Sequence, residues 1–226
     1  GQGPCGAIRR EALPTSAQPL PERRMRAVRR ETLPRQDSSQ PVSLSGKPIS
    51  TAKESLMIRP ATEADLQAIL DIYNDAVINT TAVYTYTPHT LDMRRQWFNE
   101  HREAGLPIFV LEEDGVVAGF ATYGNFRPWP AYKYSIEHSI YVHKGFRRRH
   151  IATRLMEKLL EAANGAGYAT MIAGIDADNA ASIRMHERFG FTFAGKIVKA
   201  GYKFGRWLDL VFYQKLLDGP EQPVGE

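Results

Sequence analysis

A strand-like run, Ser135–Val142, passes through the basic turn His143–Arg149 and straight into a helix whose apolar stripe is Ile151, Leu155, Leu159 and Ala162. Helical spacing of that stripe fixes which face turns inward. The short turn sets the helix N-terminus at the end of the strand. The first N–H groups of a helix have no internal partner and carry the positive end of its dipole, so they suit a phosphate or pyrophosphate. Arg147, Arg148 and Arg149 add forked donors at that spot. Three cations there oppose the dipole, and an anionic ligand relieves the conflict. A solvated basic turn is the plain alternative.

The rest of the chain builds a sheet around this unit. Met57–Arg59 reads as a short strand, and Thr62-x-x-Asp65 as a capping box with Asp in the Glu position. Leu66, Ile69, Leu70, Tyr73 and Val77 follow at helical spacing, and a second helix covers Leu91–Ala104 with Met93, Trp97 and Phe98. Ile108–Leu111 and Val116–Tyr123 are strands joined by the hairpin dipeptide Asp114-Gly115. Thr170–Ile175 is a short apolar strand, Asn179–Phe189 a helix closed by Gly190, and Phe191–Val198 and Leu208–Leu216 are the last strands. Strands with helices interposed late in the order indicate a mixed sheet in one α/β domain. No internal repeat is visible.

Charge divides the chain. Residues 1–56 hold ten Lys/Arg, five Asp/Glu, seven of the fourteen prolines and no aromatic residue. Such a segment buries too little apolar surface to offset its ordering entropy, so a disordered basic extension is expected, or an artefact of where the sequence begins. The remainder carries 19 basic and 20 acidic residues, a net of −1. That near-neutral balance argues against nucleic-acid binding by the folded part, although Arg23, Arg24, Arg26, Arg29 and Arg30 leave a tail-borne nucleic-acid module as a competing class. No stretch approaches the ~20 apolar residues of a spanning helix. Cys5 is the only cysteine, which excludes an intrachain disulfide and a cysteine relay in the domain, and fits the cytoplasm. No His/Asp/Glu cluster has metal-ligand spacing.

Arg147-x-x-His150-Ile151-Ala152 resembles the Arg/Gln-x-x-Gly-x-Gly/Ala signature of the GNAT N-acetyltransferase family, over roughly residues 57–217. The resemblance implies one domain, residues 57–217, with residues 218–226 as a tail. It implies a mixed, mostly antiparallel sheet with helices on both faces and a splayed strand pair that receives acetyl-CoA. Arg147, Arg148, Arg149, His150, Ile151, Ala152 and Thr153 would surround the pyrophosphate. His150 stands where the family usually has Gly. A non-Gly residue fits there only with ordinary helical backbone and a side chain turned away. Asn179 and Ser182 match the element that bonds the pantetheine arm, and Asn179 equally reads as a plain N-cap. His186 matches a position near the coenzyme A sulfur, where it would protonate the leaving thiolate, or else it is a packed core histidine.

Three blocks narrow the resemblance: Asn125–Trp129, Ile136–Val142 and Gly201–Asp209 are similar to the phosphinothricin and methionine sulfone N-acetyltransferases. The implied reaction is acetylation of the α-amino group of a small amino acid by direct transfer. Glu137 is the expected base, with strand alternation placing Glu137, Ser139 and Tyr141 on one face and His138, Ile140 and Val142 on the other. Amides of Ile140, Tyr141 or Val142 would stabilise the thioester oxygen, which requires a bulge or splay. Phe126, Arg127, Trp129, His138 and Ser139 would contact the substrate, with Tyr132 as a further wall and Lys203 and Arg206 near its side chain or the partner subunit of a homodimer. Competing enzyme-side readings are a protein N-terminal acetyltransferase, which needs an open groove, and a non-catalytic coenzyme A sensor.

Overall fold

The computed structural model describes residues 56–224, so expectations for residues 1–55, the basic tail and Cys5 included, lie outside the described residues. Seven strands, β1 (Leu56–Pro60), β2 (Ile108–Glu113), β3 (Val116–Asn125), β4 (Ser135–Val142), β5 (Thr170–Asp176), β6 (Thr192–Lys203) and β7 (Arg206–Leu216), form one open sheet in the order β1-β2-β3-β4-β5-β7-β6. Only β4 and β5 pair in parallel. The described residues also form four α-helices: α1 (Leu66–Asn79), α2 (Leu91–Glu103), α3 (Ile151–Gly165) and α4 (Ala180–Arg188).

Each sheet face has its own core. Leu66, Ile69 and Ile72 of α1 and Phe98 of α2 pack on Ile108, Val110 and Phe120. Leu155, Met156 and Leu159 of α3 pack on the opposite face against Leu111, Ala121, Ile136 and Met171. Residues 108 and 110 thus face one way and 109 and 111 the other, as a buried strand requires. Local signals act where expected. The Thr62 N–H donates to the Asp65 carboxylate at 2.7 Å, and Asp114 and Gly115 both have positive φ, as a two-residue primed hairpin needs. Gly190, at φ +79, closes α4.

Two expectations are corrected. Met93 is 47 % exposed, and the neighbouring Arg94 takes the inward position at 2 %. Its guanidinium lies 4.0 Å above the Tyr73 ring and 4.6 Å from the Trp97 ring, and aromatic faces make that burial tolerable. The penultimate strand runs on to Lys203 rather than stopping at Val198. It breaks register between Ile197 and Gly201, where Lys199 has φ +55, then re-pairs with β7 around a Phe204–Gly205 turn with φ of +52 and +74.

Candidate active site

The site begins where β4 and β5 part. Their parallel register holds only for Ser135–Glu137 against Thr170–Ile172. Beyond it the strands diverge, and the cleft edge of β4 is left without a partner strand. The phase of the β3 ladder decides which amides face the gap. The Phe126 N–H donates to the Ser135 carbonyl and the His143 N–H to the Ala118 carbonyl. Odd-numbered residues of β4 therefore bond to β3, and even-numbered ones turn to the cleft. So Ile140 and Val142 present their N–H groups to the cleft. Tyr141 does not: its amide belongs to the β3 ladder opposite Phe120. Of the three alternatives expected, Ile140 and Val142 remain and the Tyr141 amide is ruled out, although Tyr141 itself lines the cleft.

Glu137 stands at the fork. Its side chain is half-buried, and burial raises its carboxyl above the ordinary carboxylate range, with Arg127 opposing. A Cβ on Gly174 would come within 2.9 Å of the Glu137 Oε1 and 3.7 Å of the Leu210 and Phe212 side chains. Gly174 is thus the space the carboxylate occupies. Sequence reading passed it over, although a glycine inside an apolar strand is the usual mark of close approach. Phe126 stands edge-on to Tyr132 and Phe212, at 6.0 and 6.4 Å between centroids. The Arg127 guanidinium carbon sits over the Phe126 ring, 3.9 Å from its centroid, and its Nη1 donates to the Phe126 carbonyl at 2.6 Å. Trp129 is 63 % exposed and touches Tyr132 at the rim.

His138 sits on the other face of β4, against α4. His186 is 3 % exposed; its Nδ1 donates to the Ser182 carbonyl at 2.7 Å, and its Nε2 is 3.0 Å from the Nε2 of His138. With one His186 proton committed to a carbonyl, the neutral pair has His138 donating to His186. Burial lowers both imidazoles, His138 to about 3 with help from His186. A histidine so placed is a poor proton donor at neutral pH, which corrects the expected role of His186 towards the packed reading. His138 likewise lines the cleft through α4 rather than the Glu137 face, and its Nδ1 is buried without a hydrogen bond. Asn179 caps α4, accepting from the Ser182 N–H at 3.1 Å, and lines the cleft as well. Ser182 lines it beside Met185.

The cleft opens onto the turn before α3. Val142, Arg147, Arg148, His150, Ile151, Ala152 and Thr153 line a cavity of about 400 Å³ there. Through Val142 and Arg147 it joins a cavity of about 520 Å³ over Ile140 and Tyr141, and through Ala152 one of about 310 Å³ between β4, β5 and α4, making one groove. The Arg154 N–H bonds back to the His150 carbonyl, so the amides of Ile151, Ala152 and Thr153 are the open first turn of α3. His150 has φ +60 and ψ +16, a left-handed N-cap, and its side chain makes no capping bond. This corrects the expected helical backbone. The loop demands the conformation glycine adopts freely, and histidine is held in it. Arg147 points back to Asp75 of α1 at 3.3 Å. Arg149 is also corrected: its guanidinium turns away to Glu113, a carboxylate only 2 % exposed, and packs near Phe146. Arg206 pairs with Asp178 at 2.6 Å at the mouth of the groove, whereas Lys203 is turned inward and 5 % exposed.

Residues 66–191 match the model of the Acetyltransferase (GNAT) family, more than half of the chain. The chain belongs to the GNAT acetyltransferase family. Among GNAT relatives, it is 45 % identical over 165 residues, 73 % of this chain and 96 % of the other, to an L-methionine sulfoximine/L-methionine sulfone acetyltransferase of Pseudomonas aeruginosa. An N-acetyltransferase structure from Staphylococcus aureus Mu50 superposes with TM-score 0.72 at 55 % identity, covering 73 % of this chain and 99 % of that one. A GNAT superfamily phosphinothricin acetyltransferase from Sinorhizobium meliloti, solved in complex with acetyl-CoA, gives TM-score 0.72 at 34 % identity, covering 76 % and 94 %. The residues here fit that co-substrate. The parted strands leave a cleft with two open amides for the thioester end, and the open first turn of α3 beside Arg147 and Arg148 suits a pyrophosphate.

Proposed function

We propose that residues 57–217 form a domain that acetylates the α-amino group of a small amino acid whose side chain carries an oxidised sulfur or phosphorus. One observation carries the reading: the half-buried Glu137 carboxylate stands over Gly174 where β4 and β5 part, on the strand that presents the Ile140 and Val142 amides. Acetyl-CoA supplies an activated acyl group as its thioester. The chain's own residues do the rest. At neutral pH an α-amino group is largely protonated, and Glu137, its pKa raised by burial, accepts the proton directly or through one water. The amine nitrogen bonds to the thioester carbon while the Ile140 and Val142 amides stabilise the charge on its oxygen. The carbon–sulfur bond breaks, coenzyme A leaves as its thiolate, and the thiolate takes up the second proton that the attacking nitrogen sheds; no acyl-enzyme forms. His186 has no part in this scheme, since its proton is bound to Ser182. Arg127 forks onto the substrate carboxylate after leaving the Phe126 ring, and Phe126, Tyr132 and Trp129 wall the pocket.

The related Pseudomonas enzyme's name supports methionine sulfone and sulfoximine as first candidates. The domain acts in the cytoplasm as a homodimer without nucleic acid, supported by its near-neutral charge and by the apolar residues that β6 and β7 expose. The test is coenzyme A thiol release from acetyl-CoA with methionine sulfone, methionine sulfoximine, phosphinothricin and ordinary amino acids. Turnover with the oxidised analogues, and weak turnover with ordinary amino acids, is the expected result. Failure with every free amino acid would sink the small-molecule reading.

A further inference from the structure

The segment between α1 and α2, residues 80–90, contains no regular helix or strand, yet Thr80, Thr81 and Ala82 line the groove beside Tyr141. Something must hold it there. Lys203, the last residue of β6, is 5 % exposed, and its Nζ donates to three carbonyls: Val77 at 2.6 Å, Val83 at 2.8 Å and Thr80 at 2.9 Å. Those bonds use all three donors of an ammonium. Val77 belongs to the last turn of α1, where unpaired carbonyls and the negative end of the dipole favour a cation. The contact is reinforced nearby. The Tyr86 hydroxyl donates to the Tyr202 carbonyl, and the Tyr84 ring lies so close to Gly201 that a Cβ there would meet it at 2.7 Å. With its donors spent, Lys203 has none left for a substrate anion, which corrects the role expected for it.

We propose that Lys203 is a positioning residue that latches residues 80–86 over the acceptor side of the groove. Ala82 shares a cavity with Ser139 and with Gly174, the glycine against the Glu137 carboxylate, so the segment borders the approach to Glu137. Of the pyrophosphate turn, Arg147 and Ala152 share cavities with the segment, while Arg148, His150, Ile151 and Thr153 line only the cavity that the segment does not reach. The latch therefore shapes the amino-acid site more than the acetyl-CoA site. This step rests on the acetyltransferase reading above, and one of its two measurements does not.

The experiment compares the full chain with Lys203→Met and with Tyr86→Phe, an exposed tyrosine whose loss leaves the core intact. Hydrogen exchange without substrate reads the latch. Amides of residues 80–86 should exchange roughly tenfold or more faster in Lys203→Met and less so in Tyr86→Phe, with β4 and α3 unchanged. Steady-state kinetics reads its purpose. KM for methionine sulfone should rise about tenfold while KM for acetyl-CoA stays within about twofold. Unchanged exchange in residues 80–86 of both variants would overturn the latch whatever the kinetics show. Faster exchange with equal rises in both KM values would overturn its assignment to the acceptor side. If Lys203→Met does not fold, Tyr86→Phe decides by the same criteria. Wild-type protein that releases no thiol sinks the acetyltransferase reading instead, and exchange still decides the latch.

Discussion

At the scale of single residues, environment separates Glu137 from the two histidines across the strand. Burial raises the carboxyl of Glu137 and lowers His138 and His186, and in each case the neutral form is favoured. The consequence is opposite for function. A neutral histidine whose proton bonds a carbonyl has nothing to give, while a carboxylate with a raised pKa is a better base. Because the base works deprotonated, kcat/KM for the amino acid should fall as pH drops through the raised pKa, on a limb above the ordinary carboxylate range. Glu137→Gln should flatten that limb and lower kcat by roughly 10²–10⁴-fold. Stability should move the other way. A group whose folded pKa is raised stabilises below its unfolded pKa and loses that contribution as pH rises through the folded pKa. Thermal denaturation should therefore show Glu137→Gln melting above wild type at pH 8, with the gap closing near pH 4. Equal activity in wild type and variant would remove Glu137 from the base role. His150 offers a second test. Its left-handed backbone costs an L-residue about 1–2 kcal/mol, of which the extra unfolded-state freedom of glycine returns part. His150→Gly should raise the melting temperature by about 2–4 °C, for a net gain of up to about 1 kcal/mol, and should not raise KM for acetyl-CoA.

At the scale of elements, the decisive object is the fork between β4 and β5. The closeness of Gly174 to the Glu137 Oε1 makes the fork testable without touching the carboxylate. Gly174→Ala adds one methyl group 2.9 Å from that oxygen, so the carboxylate must move. The expected result is a kcat loss of roughly tenfold or more with KM for acetyl-CoA little changed, because a small misplacement of a reacting group is costly while the pyrophosphate turn is untouched. An unchanged kcat would place the reacting position elsewhere in the groove. The same fork shows what a sequence can convey. β4, its turn and α3 were legible because strand and helix periodicities meet within a few residues. The Asp114–Gly115 hairpin and the Gly190 stop were legible because positive φ selects those residue types. Arg94 in the core was not legible, since its burial depends on the Tyr73 and Trp97 rings that only packing assembles. Neither was the far end of β6, an edge strand exposed on both faces and so without alternation. Within the site, residue types were legible and directions were not. Arg149 turns to Glu113, Lys203 to α1 and the Tyr141 amide to β3, each because of a partner distant in sequence.

At the scale of the whole molecule, the sheet ends on one side in an edge strand that looks unfinished. Among the described residues β6 has a single neighbour, β7, and together they expose Phe193, Ile197, Val198, Tyr202, Phe204 and Trp207, each between 49 % and 64 % exposed. An edge with unpaired amides and large apolar side chains is a hazard that natural sheets blunt or cover. The break at Lys199 blunts part of it, and a Lys196–Asp209 pair adds charge, yet the apolar residues remain. A second copy of the same edge is the simplest cover, because a two-fold interface needs one self-complementary patch. This hairpin also carries Lys203, so its outer face and its latching face belong to one element. Ile197→Lys with Trp207→Glu replaces apolar surface on the outer face and leaves the three carbonyl bonds of Lys203 alone. Sedimentation equilibrium should show the unaltered chain as a dimer at micromolar concentration and the double variant as a monomer. A monomeric wild type would show that this edge is tolerated bare and that the homodimer proposal is wrong. If the variant is monomeric and folded, KM for the amino acid should rise only where the hairpin loosens. Exchange at residues 80–86 measured on the same sample then separates a latch that acts within one chain from one that depends on the partner.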